Sequence, residues 1–231
     1  MQRRRQAWSS GRALAARLVQ EYRREYGLAE APPPAIVVDE LITDFLNAEL
    51  HYDPLPLKIY AVTNWNGKNL VVTVNSLSAK IPGVKNPGGV DNVGKCHELI
   101  HLVDHASLLL TPNSGTLPGF EATPEFRCYR ARRQFLTDYD QQREIWAEEA
   151  GRAFAVYPPA LQNCEFFEDL IRLGQRLSVG ESWRLLYRAA DEIGVNPTAL
   201  VKQLSLEGLV VVEQERGKQR LWVQPALEGW R

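Results

Sequence analysis

No stretch of the 231 residues is apolar for long enough to cross a bilayer, which takes about 20 consecutive apolar residues in a helix. A membrane-spanning anchor is therefore not expected. Cysteine is scarce: Cys96, Cys128 and Cys164 are scattered and odd in number. That pattern excludes a disulfide framework and a cysteine-rich zinc site, and it fits a reducing compartment. An excess charge is missing too, because 27 Lys and Arg stand against 28 Asp and Glu for a net charge of −1. No global basic field draws the chain to nucleic acid. The first eight residues are basic, but no apolar run of signal-peptide length follows, and Arg12, Arg17, Arg23 and Arg24 interrupt the next segment. A cytoplasmic protein without membrane contact is the expectation. Its length and ordinary globular composition, 45% hydrophobic and 24% charged, allow one sizeable core and a small appended module.

Histidine is also rare, yet three of the four, His97, His101 and His105, fall within nine residues. In Cys96-His97-Glu98-Leu99-Ile100-His101 the two outer histidines are one helical turn apart. On a helix their imidazoles project from one face with backbones about 6 Å apart, a spacing that two ligands of one metal can use. Glu98, about 100° round the helix, can reach a water on that metal without coordinating it, the arrangement of HExxH zinc hydrolases. Leu99, Ile100, Leu102 and Val103 would bury the rest of the helix. Glu98 is thus the candidate general base, and His97 and His101 the candidate metal ligands. No later Gly and His complete a metzincin pattern, so a third ligand must come from elsewhere.

Around this helix the periodicities predict an α+β chain. Leu14, Leu18, Val19 and Tyr22 give a helix over 13–26 that ends at Gly27, and residues 31–34 form a proline-rich linker. Val37, Leu41, Ile42, Phe45 and Leu46 form one stripe of a helix over 36–50. Residues 59–63 and Leu70–Asn75, joined by a turn at 64–67, read as a hairpin of a small antiparallel sheet packed on the helices. Leu70–Asn75 is the candidate edge strand on which an extended substrate could pair. Residues 89–96 fall one residue short of a phosphate-binding loop, with Cys96 where Ser or Thr would hold magnesium, and a proline and glycine where a strand should lead in. Those glycines are read instead as the turn into the metal helix. A long polar connection follows Leu108, with a short helix expected over 125–135, and a further helix is expected over 140–156.

In that last helix, Glu144-Ile145-Trp146-Ala147-Glu148-Glu149-Ala150-Gly151, followed by Pro158, resembles the second motif of the ImmA/IrrE family of zinc metallopeptidases. That motif runs Glu-x-x-Ala-Asn/Asp-x-Phe-Ala before an apolar run closing on Pro; here Ala150-Gly151 stands where Phe-Ala is usual. The resemblance implies a zinc ion, with manganese as the alternative metal, held by His97, His101 and Glu144. Glu148, one turn further on, and Asp104, on the His97 face, are rival carboxylates. His105, Tyr129 and Tyr139 are candidates for stabilising an oxyanion.

The resemblance extends to the run-in over 13–75 and to residues 189–204, which look like the helix-turn-helix segment that follows the peptidase domain in such proteins. Asn196 is suited to cap its second helix and Pro197 to open it, and 209–223 completes a winged-helix outline with a hairpin. The division expected is 1–34 for the N-terminal helix and linker, 35–172 for an HExxH metallopeptidase domain and 173–231 for a winged-helix-like module. The resemblance implies an endopeptidase that cleaves a helix-turn-helix repressor and so derepresses stress-response or mobile-element genes. The alternative is a regulator that binds DNA or protein through the C-terminal module, with weak DNA contact or a toxin-antitoxin role. The nearly balanced charge of that module argues against sequence-specific duplex binding.

Overall fold

The computed structural model describes residues 2–57, 59–104, 125–129, 138–173, 178–215 and 218–223. The first helix, α1 (Gln2–Glu25), starts well before residue 13 and buries Ala7, Leu14, Ala15, Leu18 and Val19. It stops where expected, at Gly27, which has φ +63°. There the amide of Leu28 bonds the carbonyl of Arg23, 3.0 Å away, a glycine-terminated helix end.

A long helix over 36–50 does not form. A short α2 (Val38–Glu40) runs into a wider turn at Leu41–Phe45, and Asn47 takes φ +51°. Asn is one of the few residues that enter the left-handed region at low cost. The chain then extends into β1 (Glu49–Asp53). The apolar stripe was legible, and Val37, Leu41 and Ile42 are buried; it belongs to a helix of two turns.

β2 (Ile59–Trp65) and β3 (Leu70–Asn75) form the expected hairpin. The sheet is mixed, because β1 pairs in parallel with β3. Its order is β1-β3-β2-β4, so Leu70–Asn75 is an interior strand and not the edge. Val71, Val72, Val74 and Asn75 are buried accordingly. The segment expected to be a helix over 125–135 instead begins with β4 (Glu125–Tyr129), antiparallel to β2. Pairing with the open side of β2 satisfies its backbone groups.

The helix that carries His97 and His101, α3 (Pro87–Asp104), lies across the sheet, and α4 (Asp138–Ala155) lies between α1 and α3. Two glycines let the three helices approach. A Cβ on Gly11 of α1 would come 2.1 Å from the carbonyl oxygen of Ala150, and one on Gly151 of α4 would come 2.8 Å from Cα of His97.

Short helices α5 (Pro158–Gln162) and α6 (Glu165–Leu173) lead to α7 (Val179–Glu192) and α8 (Pro197–Leu206). The side chain of Asn196 accepts from the amide of Ala199 at 2.9 Å with Pro197 in the first turn, as the sequence suggests. A two-stranded antiparallel hairpin follows, β5 (Val210–Glu215) and β6 (Lys218–Val223). The whole is a mixed α and β protein. No described helix is long and apolar enough to cross a membrane.

Candidate metal centre

Because Leu99, Ile100 and Leu102 anchor α3 in the core, the adjoining face of the helix carries its polar side chains inward as well. His97, Glu98 and His101 are all buried. One turn apart, His97 and His101 bring their Nε2 atoms within 3.0 Å of each other. Glu144, buried on α4, closes the cluster. Its two carboxylate oxygens stand 3.3 Å from Nε2 of His97 and 3.2 Å from Nε2 of His101.

These spacings decide what the cluster can do. Two ligands on a tetrahedral ion with bonds of about 2.0–2.1 Å are separated by about 3.3 Å, close to the 3.0 Å between the two imidazole nitrogens and to the distance from each of them to its nearer Glu144 oxygen. His97, His101 and Glu144 offer one donor atom each within 4.8 Å of one another, and this group can hold a metal ion. Burial disfavours the charged form of His97, but the hydrogen bond to Glu144 and the charges of Glu98, Glu144 and Glu148 together outweigh it and raise its pKa. Burial likewise pushes Glu144 up, while hydrogen bonds to His101 and His97 overcome that and lower it. The carboxylate stays ionised, as a metal ligand must.

Of the three candidate carboxylates, Glu144 is the one that the structure brings against both imidazoles. Glu148 is half-exposed and pairs with Lys202 at 2.7 Å and with Arg152 at 3.5 Å. Asp104 accepts a hydrogen bond of 2.8 Å from the indole of Trp146. His105 lies outside the described residues, and Tyr129 and Tyr139 fall on β4 and α4 where only the backbone is described.

Glu98 turns towards the sheet. Its Oε2 accepts a 2.5 Å hydrogen bond from the hydroxyl of Thr63 on β2, and both residues are fully buried. Its charge still reaches His97 and adds to the upward shift of that imidazole. Thr63 was missed by the sequence reading because an alternating strand gives no sign of which polar residue meets the facing helix.

The glycines near α3 do something other than expected. Gly89 and Gly94 lie inside the helix and do not form a turn into it. A Cβ on Gly89 would come 2.6 Å from the backbone of Val195, so its bareness lets the start of α3 touch the turn between α7 and α8. Two side-chain bonds fix that contact: Asn92 Nδ2 donates to the carbonyl of Gly194 at 2.9 Å, and Asn86 Nδ2 to Asp191 Oδ1 at 2.9 Å.

The centre opens on a cleft of about 770 Å³. His97 and Glu144 form part of its lining, together with Tyr60, Val90 and Val93 and with Tyr187, Thr198 and Lys202. No protein-family model matches the chain, and no curated protein matches it.

Proposed function

We propose that this protein is a zinc-dependent endopeptidase, its metal held by His97, His101 and Glu144 and its general base supplied by Glu98. The observation that carries the proposal is the convergence of two imidazoles and an ionised carboxylate in one buried cluster at the wall of a cleft. Two nitrogens and an oxygen, with no sulfur, suit a catalytic zinc site with an open position, and manganese is the alternative metal. A divalent ion there would supply Lewis acidity, polarising a peptide carbonyl and acidifying a water.

The protein's own groups do the rest. Glu98 accepts a proton from water as the oxygen attacks the carbonyl carbon, and returns it to the amine as the C–N bond breaks. Thr63 holds the carboxylate against rotation while it does so. His97, His101 and Glu144 stand on helices α3 and α4, whose backbones approach closely at Gly151.

We read the architecture as an HExxH metallopeptidase fold carrying a winged-helix-like module. The resemblance of 144–151 to the ImmA/IrrE motif suggests that the substrate is a helix-turn-helix repressor. Zinc-loaded protein is incubated with the repressor encoded nearest to it, beside the Glu98→Gln variant. Cleavage by the wild type alone supports the proposal; an intact repressor, or equal cleavage by both, contradicts it.

A further inference from the structure

The second helix of a helix-turn-helix offers its N-terminal, outward residues to DNA base edges. In α8 the outward face is Thr198, Lys202, Ser205 and Leu206, while Ala199, Leu200, Gln203 and Leu204 are buried. Thr198 and Lys202, the two nearest the N-terminus, line the cleft that holds His97 and Glu144. Lys202 is the only cation of this helix, and its ammonium is 2.7 Å from Glu148 on α4. The positions that would read a duplex therefore look across at the candidate metal centre.

This placement is built into the packing. The turn before α8 rests on the bare backbone of Gly89, and Asn86 and Asn92 bond to Asp191 and Gly194 on either side of it. The far end of α8 is tied to α1, where Arg12 and Trp8 both donate to Glu207. Both ends of α8 are thus attached to the body that carries the metal ligands.

We infer that α8, together with Tyr187 of α7, is the specificity wall of the cleft, with Thr198, Lys202 and Tyr187 selecting the polypeptide segment admitted to the metal centre. The occupant is an extended polypeptide carrying an apolar side chain. The cleft is lined as well by the α3 face of Val90, Val93 and Gly94, in the two turns before His97, and by Tyr60. An apolar side chain seated there leaves the segment's backbone facing the hydroxyl of Thr198 and the ammonium of Lys202. This inference rests on the peptidase proposal for its chemistry, but its recognition step is separable from cleavage.

The test separates the two. The zinc-loaded Glu98→Gln protein is immobilised, and peptides from a proteolysed whole-cell proteome are captured on it and identified by mass spectrometry. The same is done after adding Thr198→Trp, which fills the cleft from the α8 side, or Tyr187→Ala, which widens it. Unchanged zinc content and melting temperature show that the variants fold.

Capture of peptides enriched in one apolar position, reduced at least tenfold by Thr198→Trp and altered in composition by Tyr187→Ala, is the expected result. It supports the wall even if the wild type cuts none of the captured peptides, an outcome that would count against the peptidase proposal alone. Absence of captured peptides, or identical sets from all three proteins, overturns the inference. So does salt-sensitive binding of a random-sequence duplex that Thr198→Trp abolishes.

Discussion

The hydroxyl of Thr63 donates to Oε2 of Glu98 over 2.5 Å, a bond between a strand and a helix with both side chains fully buried. A hydrogen bond to a charged partner contributes about 1.5–3 kcal/mol, and this one fixes the direction of the proposed base. Thr63→Val removes the donor and keeps the shape. On a peptide that the wild type cleaves, kcat is expected to fall roughly 10- to 100-fold with KM and zinc content unchanged. Thr63→Ser should restore most of the rate. Loss of zinc or of folding in the valine variant, with no rescue by serine, would instead mark Thr63 as structural.

Replacing the proposed base itself should cost more. Glu98→Gln keeps the size of the side chain and cannot take a proton, so cleavage is expected to fall about 10²- to 10⁴-fold, the usual contribution of a positioned base. Metal content should stay at the wild-type level, since Glu98 is not one of the three donors. A variant that cleaves at the wild-type rate would remove Glu98 from the mechanism.

Gly151 presses against the backbone of His97, and a methyl group there would meet Cα at 2.8 Å and the amide nitrogen at 3.0 Å. Gly151→Ala should therefore push α4 away from α3, at a cost of about 1–3 kcal/mol. It should also weaken zinc binding about tenfold or more by moving Glu144 relative to the histidines. Gly180→Ala is the control, because nothing lies within 4 Å of a Cβ built at that helical position. Its stability should hold or rise, as alanine replaces glycine in a helix.

Glu207 sets a pH dependence on the far side of the molecule. Trp8, Arg12 and Gln203 all donate to its Oε1, and Oε2 is buried without a hydrogen-bond partner among the described residues. Burial raises its pKa above the ordinary carboxylate value, against the lowering by Gln203, Arg12 and Trp8. Between the ordinary and the raised value the folded protein keeps a proton that the unfolded chain has released, so stability falls as pH rises through that interval. Glu207→Gln cannot titrate. The melting temperature of the variant minus that of the wild type should move upward from about pH 4 to about pH 7; a difference that is flat or moves downward would contradict the assignment.

The chain discloses its local chemistry more readily than its long-range pairing. His97 and His101 could be read as a pair because four residues on a helix fix their relation, and Asn196 and Pro197 because capping is equally local. Glu144 lies 43 residues beyond His101, so only the motif resemblance favoured it over the rivals Glu148 and Asp104; in the structure Glu148 pairs with Lys202 and Arg152, Asp104 with the indole of Trp146, and Glu144 with the two imidazoles. The strands fared worse. Val71, Val72 and Val74 were legible as a strand, but neither β1 nor β4 was, since each forms by pairing with a distant partner. Ala150-Gly151, a departure from the motif it resembles, has a reason only once α1 and α3 are seen to close on α4 from both sides.

The central claim is that His97, His101 and Glu144 together hold one divalent ion. Metal analysis of the purified protein by inductively coupled plasma mass spectrometry, beside Glu144→Ala and Glu98→Gln, tests it most directly. About one zinc or manganese per chain is predicted in the wild type and in Glu98→Gln, with little or none in Glu144→Ala. Equal metal in the wild type and Glu144→Ala, or a folded wild type that takes up no divalent metal on reconstitution, would contradict it.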